Sequence, residues 1–432
     1  MKVLILGSDF GTIDLLKEAK RNGDYVIVAD YYQTTSTKKL ADESVNVSTL
    51  DIDAVEQLCK AKDIEAIVMG ANDFNVNAGR IVAKRLHLPV YCSNDDAWHL
   101  SCNKRLFKNM CKAIGAPIAK DFHVSSLPTR KELDAIQYPV VVKALDQAGN
   151  VGFSYCDNEE DLMDAIKKVL SVSDEKDFIV ESCLHGPEFV ANYVLAEGKA
   201  VLNHFCSEHH QPGFPANLYS LINSTTYKLK QYLEEVDGYV VRLFKEAGFS
   251  EGVAWVECML NDDGHFYLLE PGYRFCGEVT FVPYGVISGF NPMRWMLDIA
   301  KGAHHRKEEL PPPVSELLET VKGTSAVAYH LFGCKEGIVS RIEGLDVVGK
   351  IPNVVIDLPH REGYNMRFHK NMGVIRFPAF SRSELETYMH VINDNLRVLD
   401  RNGESLIIHY DNIDEVLAQY DEGLEDVNQW KS

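Results

Sequence analysis

Apolar runs alternate with amphipathic stretches through the first quarter of the chain. Residues 3 to 7 form a continuous apolar run into Gly7, the pattern of a strand buried on both faces. From Thr12 to Arg21 the apolar positions Leu15, Leu16 and Ala19 fall on one side of a helix, and Tyr25-Val-Ile-Val-Ala-Asp30 returns to a strand. A helix near Asp53 to Lys62 and a third run, Ala66-Ile-Val-Met-Gly70, continue the alternation, which predicts a doubly wound parallel sheet. A helical segment starts at Asn94, carries Lys104 and runs to Ile114, where Gly115 and Pro117 stop it.

Beyond this the pattern changes. Tyr138-Pro-Val-Val-Val-Lys143 reads as a short buried strand ending on a cation, followed by a loop from Ala144 to Phe153 that contains Gly149 and Gly152. Phe178 to Ala191 reads as strand, hinge, strand. Residues 203 to 226 are polar and rich in turn formers and histidine, which predicts a loop, and Tyr227 to Ala247 predicts a helix. Two apolar-rich strands then flank Asn261-Asp-Asp-Gly264, a hairpin turn in which the glycine supplies the positive φ. A glycine-rich loop follows Arg274, and a helix ends near Lys301-Gly302. Consecutive prolines at 311 to 313 predict a stiff linker. Short strands near 325–332, 337–342, 353–358 and 373–379, a helix from Ser383 to Asn395, a last strand at 405–409 and an acidic helical tail make an α+β module.

The length of 432 residues implies two to four domains. No apolar run approaches the roughly 18 to 20 residues of a membrane span, and the amino terminus reaches a glycine and an acid too early for a signal peptide; a cytoplasmic protein is expected. With 44 basic and 63 acidic residues, the formal charge of −19 argues against nucleic acid or an anionic membrane as partner. Nucleotides stay open, because a site responds to its near charges more than to the screened total. Ten cysteines without any C-x-x-C pair fit reduced structural thiols.

The hairpin can bring Glu257 and Glu270 together. Two facing carboxylates repel, and a divalent metal removes that cost, although a solvent-facing pair is the plainer reading. Lys143 beside the glycine loop suits phosphate, because glycines let backbone N–H groups fold over phosphate oxygens. Lys104 taken alone reads more plainly as a solvated helix residue. Gly7 to Gly11 with Asp30 raises an NAD site, weakened by the absence of a full G-x-G-x-x-G; Asn72 and Asp73 are candidates for lining a substrate cleft. For His204, His209 and His210, metal binding, substrate contact and a plain surface loop are all open.

In order and spacing, Lys104, Lys143 with its glycine loop, Glu181 to Glu188, Glu257 and Leu-Leu-Glu270-x-x-x-Arg274 resemble the ATP-grasp superfamily over residues 1 to about 300. The branch resembled is that of carboxylate–amine ligases and the carbamoyl phosphate synthase large subunit. The resemblance implies an α/β and α+β fold: a Rossmann-like pre-ATP-grasp domain at 1–95, an ATP-grasp domain of two subdomains at 96–305 with its lid at about 120–190, and a carboxy-terminal α+β lid module at 306–432. It implies that Lys104 and Lys143 contact ATP phosphates under a lid holding Gly149 and Gly152. The backbones of Glu181 and Leu184 would meet adenine, and Glu188 the ribose. Glu257 and Glu270 would hold magnesium, with manganese as an alternative, and Arg274 would steady a reacting carboxylate or its acyl phosphate. Two positions depart: Ser182 stands where a lysine is common, and Gly272 replaces the asparagine of Glu-x-Asn-x-Arg, removing a metal ligand.

The expected activity is ADP-forming ligation of a small carboxylate to an amine, with Lys143 and Arg274 as catalytic residues and a homodimer as a resemblance-based expectation. The alternatives are a bicarbonate-phosphorylating enzyme and a nucleotide-binding protein with reduced catalysis. An oxidoreductase is the reading from the first glycines.

Overall fold

The computed structural model describes residues 1–145, 151–174, 176–211, 219–277, 279–359 and 361–430. The apolar runs at the amino terminus form β1 (Lys2–Leu6), β2 (Tyr25–Asp30), β3 (Glu43–Asn46) and β4 (Ala66–Met69), a parallel sheet of order β3-β2-β1-β4. Helices Thr12–Arg21, Ser36–Leu40 and Ile52–Lys62 connect the strands in turn, as the doubly wound pattern predicts, and helix Asp73–Leu86 follows β4. β3 escaped the sequence reading because Glu-Ser-Val-Asn carries no apolar run. The segment from Asn94 is two helices, Asp95–Cys102 and Lys104–Ile114. Asn103 breaks it: its side chain accepts hydrogen bonds from Arg105 N–H and Leu106 N–H, which makes it the cap of the second helix.

A second sheet has the order β5-β8-β6-β7, from β5 (Asp121–Phe122), β6 (Val140–Ala144), β7 (Ser154–Cys156) and β8 (Phe178–Ser182). Helix Glu159–Val172 covers it, with Leu162, Ala165, Ile166 and Val169 buried against Val140, Val142 and Val180 in a small core of its own.

Among the described residues the third sheet has nine strands. It runs β13 (Phe266–Gly272), β12 (Gly252–Leu260), β9 (Glu188–Ala196), β10 (Lys199–His210), β11 (Tyr219–Ser224) and β14 (Ser325–Gly333), then Asn371–Ala379 and Val355–Asp357, with Ile407–Ile408 paired to β14. Residues expected to form a polar loop at 203–226 are thus interior strands on both sides of residues 212–218, which lie outside the described ones. Asn203, His204, Ser207, Glu208 and His209 are buried there, so polarity marked an interior sheet face and not solvent. The expected division near 306 falls between strands that share this sheet. The loop expected after Arg274 also contains a helix, Phe281–Ser288.

Because directly opposite residues in antiparallel strands share a face, the register sorts this sheet into two sides. Phe189, Phe205, Phe266 and Leu268 pack into the main core with helix Gly238–Ala247. The other side carries Glu188, Glu257, Glu270 and Trp255, and looks toward the second sheet and the carboxyl ends of β1 and β4.

Candidate functional site

Helix Lys104–Ile114 sits between the second and third sheets. Its first residue, Lys104, places Nζ 3.5 Å from Glu270 Oε2. One turn on, the buried Lys108 places Nζ 2.5 Å from Glu181 Oε2. Glu181 lies opposite Val141 on β6, so Lys143, two residues along the same face, reaches its other oxygen, Oε1, at 2.5 Å. Burial would push the Glu181 carboxyl up, but Lys143 and Lys108 overcome it and hold the group down at about 2. Burial likewise works against a charged Lys143, and Glu181, Glu270 and Glu188 together raise its pKa instead. Lys143 therefore lies in the field of three carboxylates that come from different strands.

The hairpin behaves as its sequence predicts. Gly264 has φ +84° and donates its N–H to Asn261 O at 2.8 Å, and the register pairs Glu257 directly with Glu270. Both carboxylates are therefore on one face, and Glu257 is half-buried. Two hard oxygen donors side by side fit magnesium completed by phosphate oxygens. Among the described residues no group of three His, Cys, Asp or Glu side chains is poised to hold a metal.

Trp255 pairs with Gly272 across the same two strands. A Cβ at 272 would lie 2.1 to 2.4 Å from atoms of the indole ring, so the ring fills the space in which an asparagine side chain would stand. The same indole stacks 5.0 Å from the guanidinium of Arg274. Asp73 grips that guanidinium from the amino-terminal unit, accepting from Nε at 2.5 Å and Nη2 at 2.8 Å, and Nη1 donates to Phe275 O at 2.8 Å. Asp73 thus joins the site as a partner of Arg274. Asn72 acts otherwise, capping helix Asp73–Leu86 through Phe74 N–H and Asn75 N–H.

At the hinge, three backbone donors have partners outside the strand ladder. Ser182 N–H donates to Lys120 O at 2.9 Å, Cys183 N–H to Pro139 O at 3.1 Å, and His185 N–H to Asn261 Oδ1 at 3.0 Å. Leu184 sits between them, and its carbonyl accepts from Cys183 Sγ at 3.6 Å. Glu188 begins β9, with His210 Nε2 3.1 Å from its Oε2. Of the two loop glycines, Gly152 has φ +80° and Gly149 lies outside the described residues.

The three histidines go separate ways. His204 stacks on Tyr284 at 4.6 Å with Nε2 3.1 Å from the Thr280 hydroxyl, and burial lowers its pKa to about 3, so it is neutral. His209 is buried with Nδ1 3.2 Å from Glu415, and only His210 touches a predicted site residue. The sequence reading missed Lys108; its spacing of four from Lys104 was the available signal.

Residues 136–281 match the family model of the ATP-grasp domain. The chain is 27% identical over 194 residues to a D-alanine–D-alanine ligase of Alcanivorax borkumensis, an alignment covering 44% of this chain and 60% of that protein, less than two thirds of its length. The fold is similar to that of an L-amino acid ligase from Bacillus licheniformis, with TM-score 0.71, 19% identity, and 93% of this chain and 99% of that one covered. It is also similar to the biotin carboxylase domain dimer of the Hydrogenobacter thermophilus 2-oxoglutarate carboxylase, in complex with MgADP, ADP and bicarbonate. There the TM-score is 0.70 at 16% identity, over 91% of this chain and 90% of that one. At such identities the two solved structures speak for the fold alone.

Proposed function

Starting from the ATP-grasp domain carried by residues 136–281, we propose that the protein is an ATP-dependent ligase that joins a carboxylate to an amine through an acyl phosphate. The observation that carries this reading is the convergence of Lys104, Lys143, Glu257 and Glu270 between two sheets, with Arg274 on the same side of the large one. In it, Lys104 and Lys143 neutralise the phosphates, the backbones of Glu181 and Leu184 meet the base, and Glu188, held by His210, takes the ribose. Glu257 and Glu270 would hold magnesium, which withdraws charge from the phosphates when bound. Arg274, fixed by Asp73 and Trp255, faces the reacting acid.

A carboxylate oxygen attacks the γ-phosphorus and ADP leaves. The amine nitrogen then attacks the acyl carbon, phosphate leaves, and the nitrogen loses a proton. Free carboxylate lacks a good leaving group, which phosphorylation supplies; positioning and charge neutralisation by these side chains carry the rest. Appearance of ADP and inorganic phosphate only when an acid and an amine are both supplied is the expected result, and AMP with pyrophosphate would contradict it.

Two other readings have an observation behind them. The carboxylase neighbour bound to bicarbonate favours bicarbonate as the acid, which bicarbonate-dependent ATP cleavage would reveal. The indole filling the place beside Gly272 favours nucleotide binding with reduced turnover. A homodimer, named for that carboxylase domain, is a further proposal for this chain, to be tested by sedimentation.

A further inference from the structure

Resting on the ATP reading, we infer that Lys108 is a positioning residue whose charge offsets Glu181, leaving Lys143 an uncancelled positive field for the nucleotide phosphates. Glu181 meets Lys143 through one oxygen and Lys108 through the other, each at 2.5 Å. With Lys143 alone, the buried carboxylate would make a neutral pair, and a phosphate arriving beside it would meet little net charge. The second lysine turns the group into one negative and two positive charges. The side-chain exposures show which way that excess is directed: 3% for Lys108, 2% for Glu181 and 22% for Lys143, so the surplus reaches space only through Lys143.

The placement is specific. Lys104 and Lys108 stand one helical turn apart and so share a face of helix Lys104–Ile114. One contacts Glu270 of the large sheet and the other Glu181 of the second sheet, so a single helix face sets lysines on both walls of the nucleotide cleft. Stability alone does not call for Lys108, because buried ionic groups can be replaced by well-packed apolar ones at little cost.

The test measures affinity for a fluorescent ATP analogue, together with thermal unfolding, in the full chain and in Lys108→Met, Lys108→Arg and the double variant Lys108→Met/Glu181→Gln. Lys108→Met is expected to bind about tenfold more weakly, the scale of one charge removed roughly ten ångströms away, behind Glu181 and Lys143, at an effective dielectric near 20. Lys108→Arg should stay close to the unmodified protein. The double variant should recover affinity, because the carboxylate in contact with Lys143 is then gone and the net charge of the cluster is restored, whereas a merely structural role predicts no recovery. Unchanged binding by Lys108→Met, or a double variant as weak as the single one, would overturn the inference. If Lys108→Met does not fold, the double variant decides alone: affinity near that of the unmodified protein supports the inference, and a tenfold loss overturns it. Failure of the unmodified protein to bind the analogue would overturn the ATP reading itself, and this inference with it.

Discussion

Two buried charge clusters in this molecule are near mirror images. In one, the carboxylate Glu181 lies between Lys108 and Lys143. In the other, Arg376 lies between Asp14 at 2.7 Å and Asp357 at 3.6 Å. The second cluster is sealed, with exposures of 0%, 7% and 4%, and it ties helix Thr12–Arg21 of the amino-terminal unit to the far strands of the large sheet. The first reaches a cleft through Lys143. The physics is shared, since each buried charge needs a partner. What differs is the direction of the surplus charge: toward ligand space it is available for chemistry, and enclosed it only fixes how two units sit together.

The comparison can be broken most severely at Arg376. Arg376→Met leaves two buried carboxylates facing each other and should cost about 3–5 kcal/mol in denaturant unfolding, with nucleotide affinity of the folded protein unchanged. Lost affinity at intact stability would erase the distinction between the clusters.

Acidity should separate the clusters by sign. Glu181, held near 2 against an ordinary 4.5, contributes stability that is present above pH 4.5 and lost as pH falls through about 2, on the order of 3 kcal/mol. Asp357 is pushed up to about 6, by burial first and with Asp14 adding to it, against the opposing pull of Arg376. Its contribution is present below pH 3.8 and lost as pH rises through about 6. Stability measured against pH should therefore lose its acid limb in Lys108→Met/Glu181→Gln and its loss between pH 4 and 6 in Asp357→Asn.

Smaller effects sharpen the same contrast. Lys143→Met should weaken ATP-analogue binding by about 1.5–3 kcal/mol, the range for a hydrogen bond to a charged group. Gly272→Asn must displace the Trp255 indole and should cost about 1–3 kcal/mol of stability, as overpacking does. The exposed pair Arg130–Glu159 provides the floor: Glu159→Gln should change stability by less than about 1 kcal/mol.

Which of these features the chain itself disclosed follows from how each side chain is used. The amino-terminal sheet was legible because its strands are unbroken apolar runs, and the hairpin at 252–274 because Gly264 marks its turn and fixes the Glu257–Glu270 register. β10 was not, since the strand buries polar residues on both faces, with Asn203, His204, Ser207 and Glu208 in places where a buried strand normally shows apolar ones. Lys108 resembles any solvated helix lysine until its burial is seen, and Arg376 is one charge in an apolar strand whose partners are remote in sequence. The sequence reads Gly272 as standing where a ligand side chain is expected; that Trp255 fills the place depends on cross-strand pairing, which a linear pattern does not encode.

The central claim is that a carboxylate is activated by phosphorylation at the Lys143–Glu270 cleft. It is tested most directly by supplying heavy-oxygen-labelled carboxylates with an amine and ATP and weighing the inorganic phosphate released. An acyl phosphate intermediate predicts that one labelled oxygen passes from the acid to phosphate while ATP becomes ADP. Ligation that leaves the phosphate unlabelled, or that yields labelled AMP, would contradict the account.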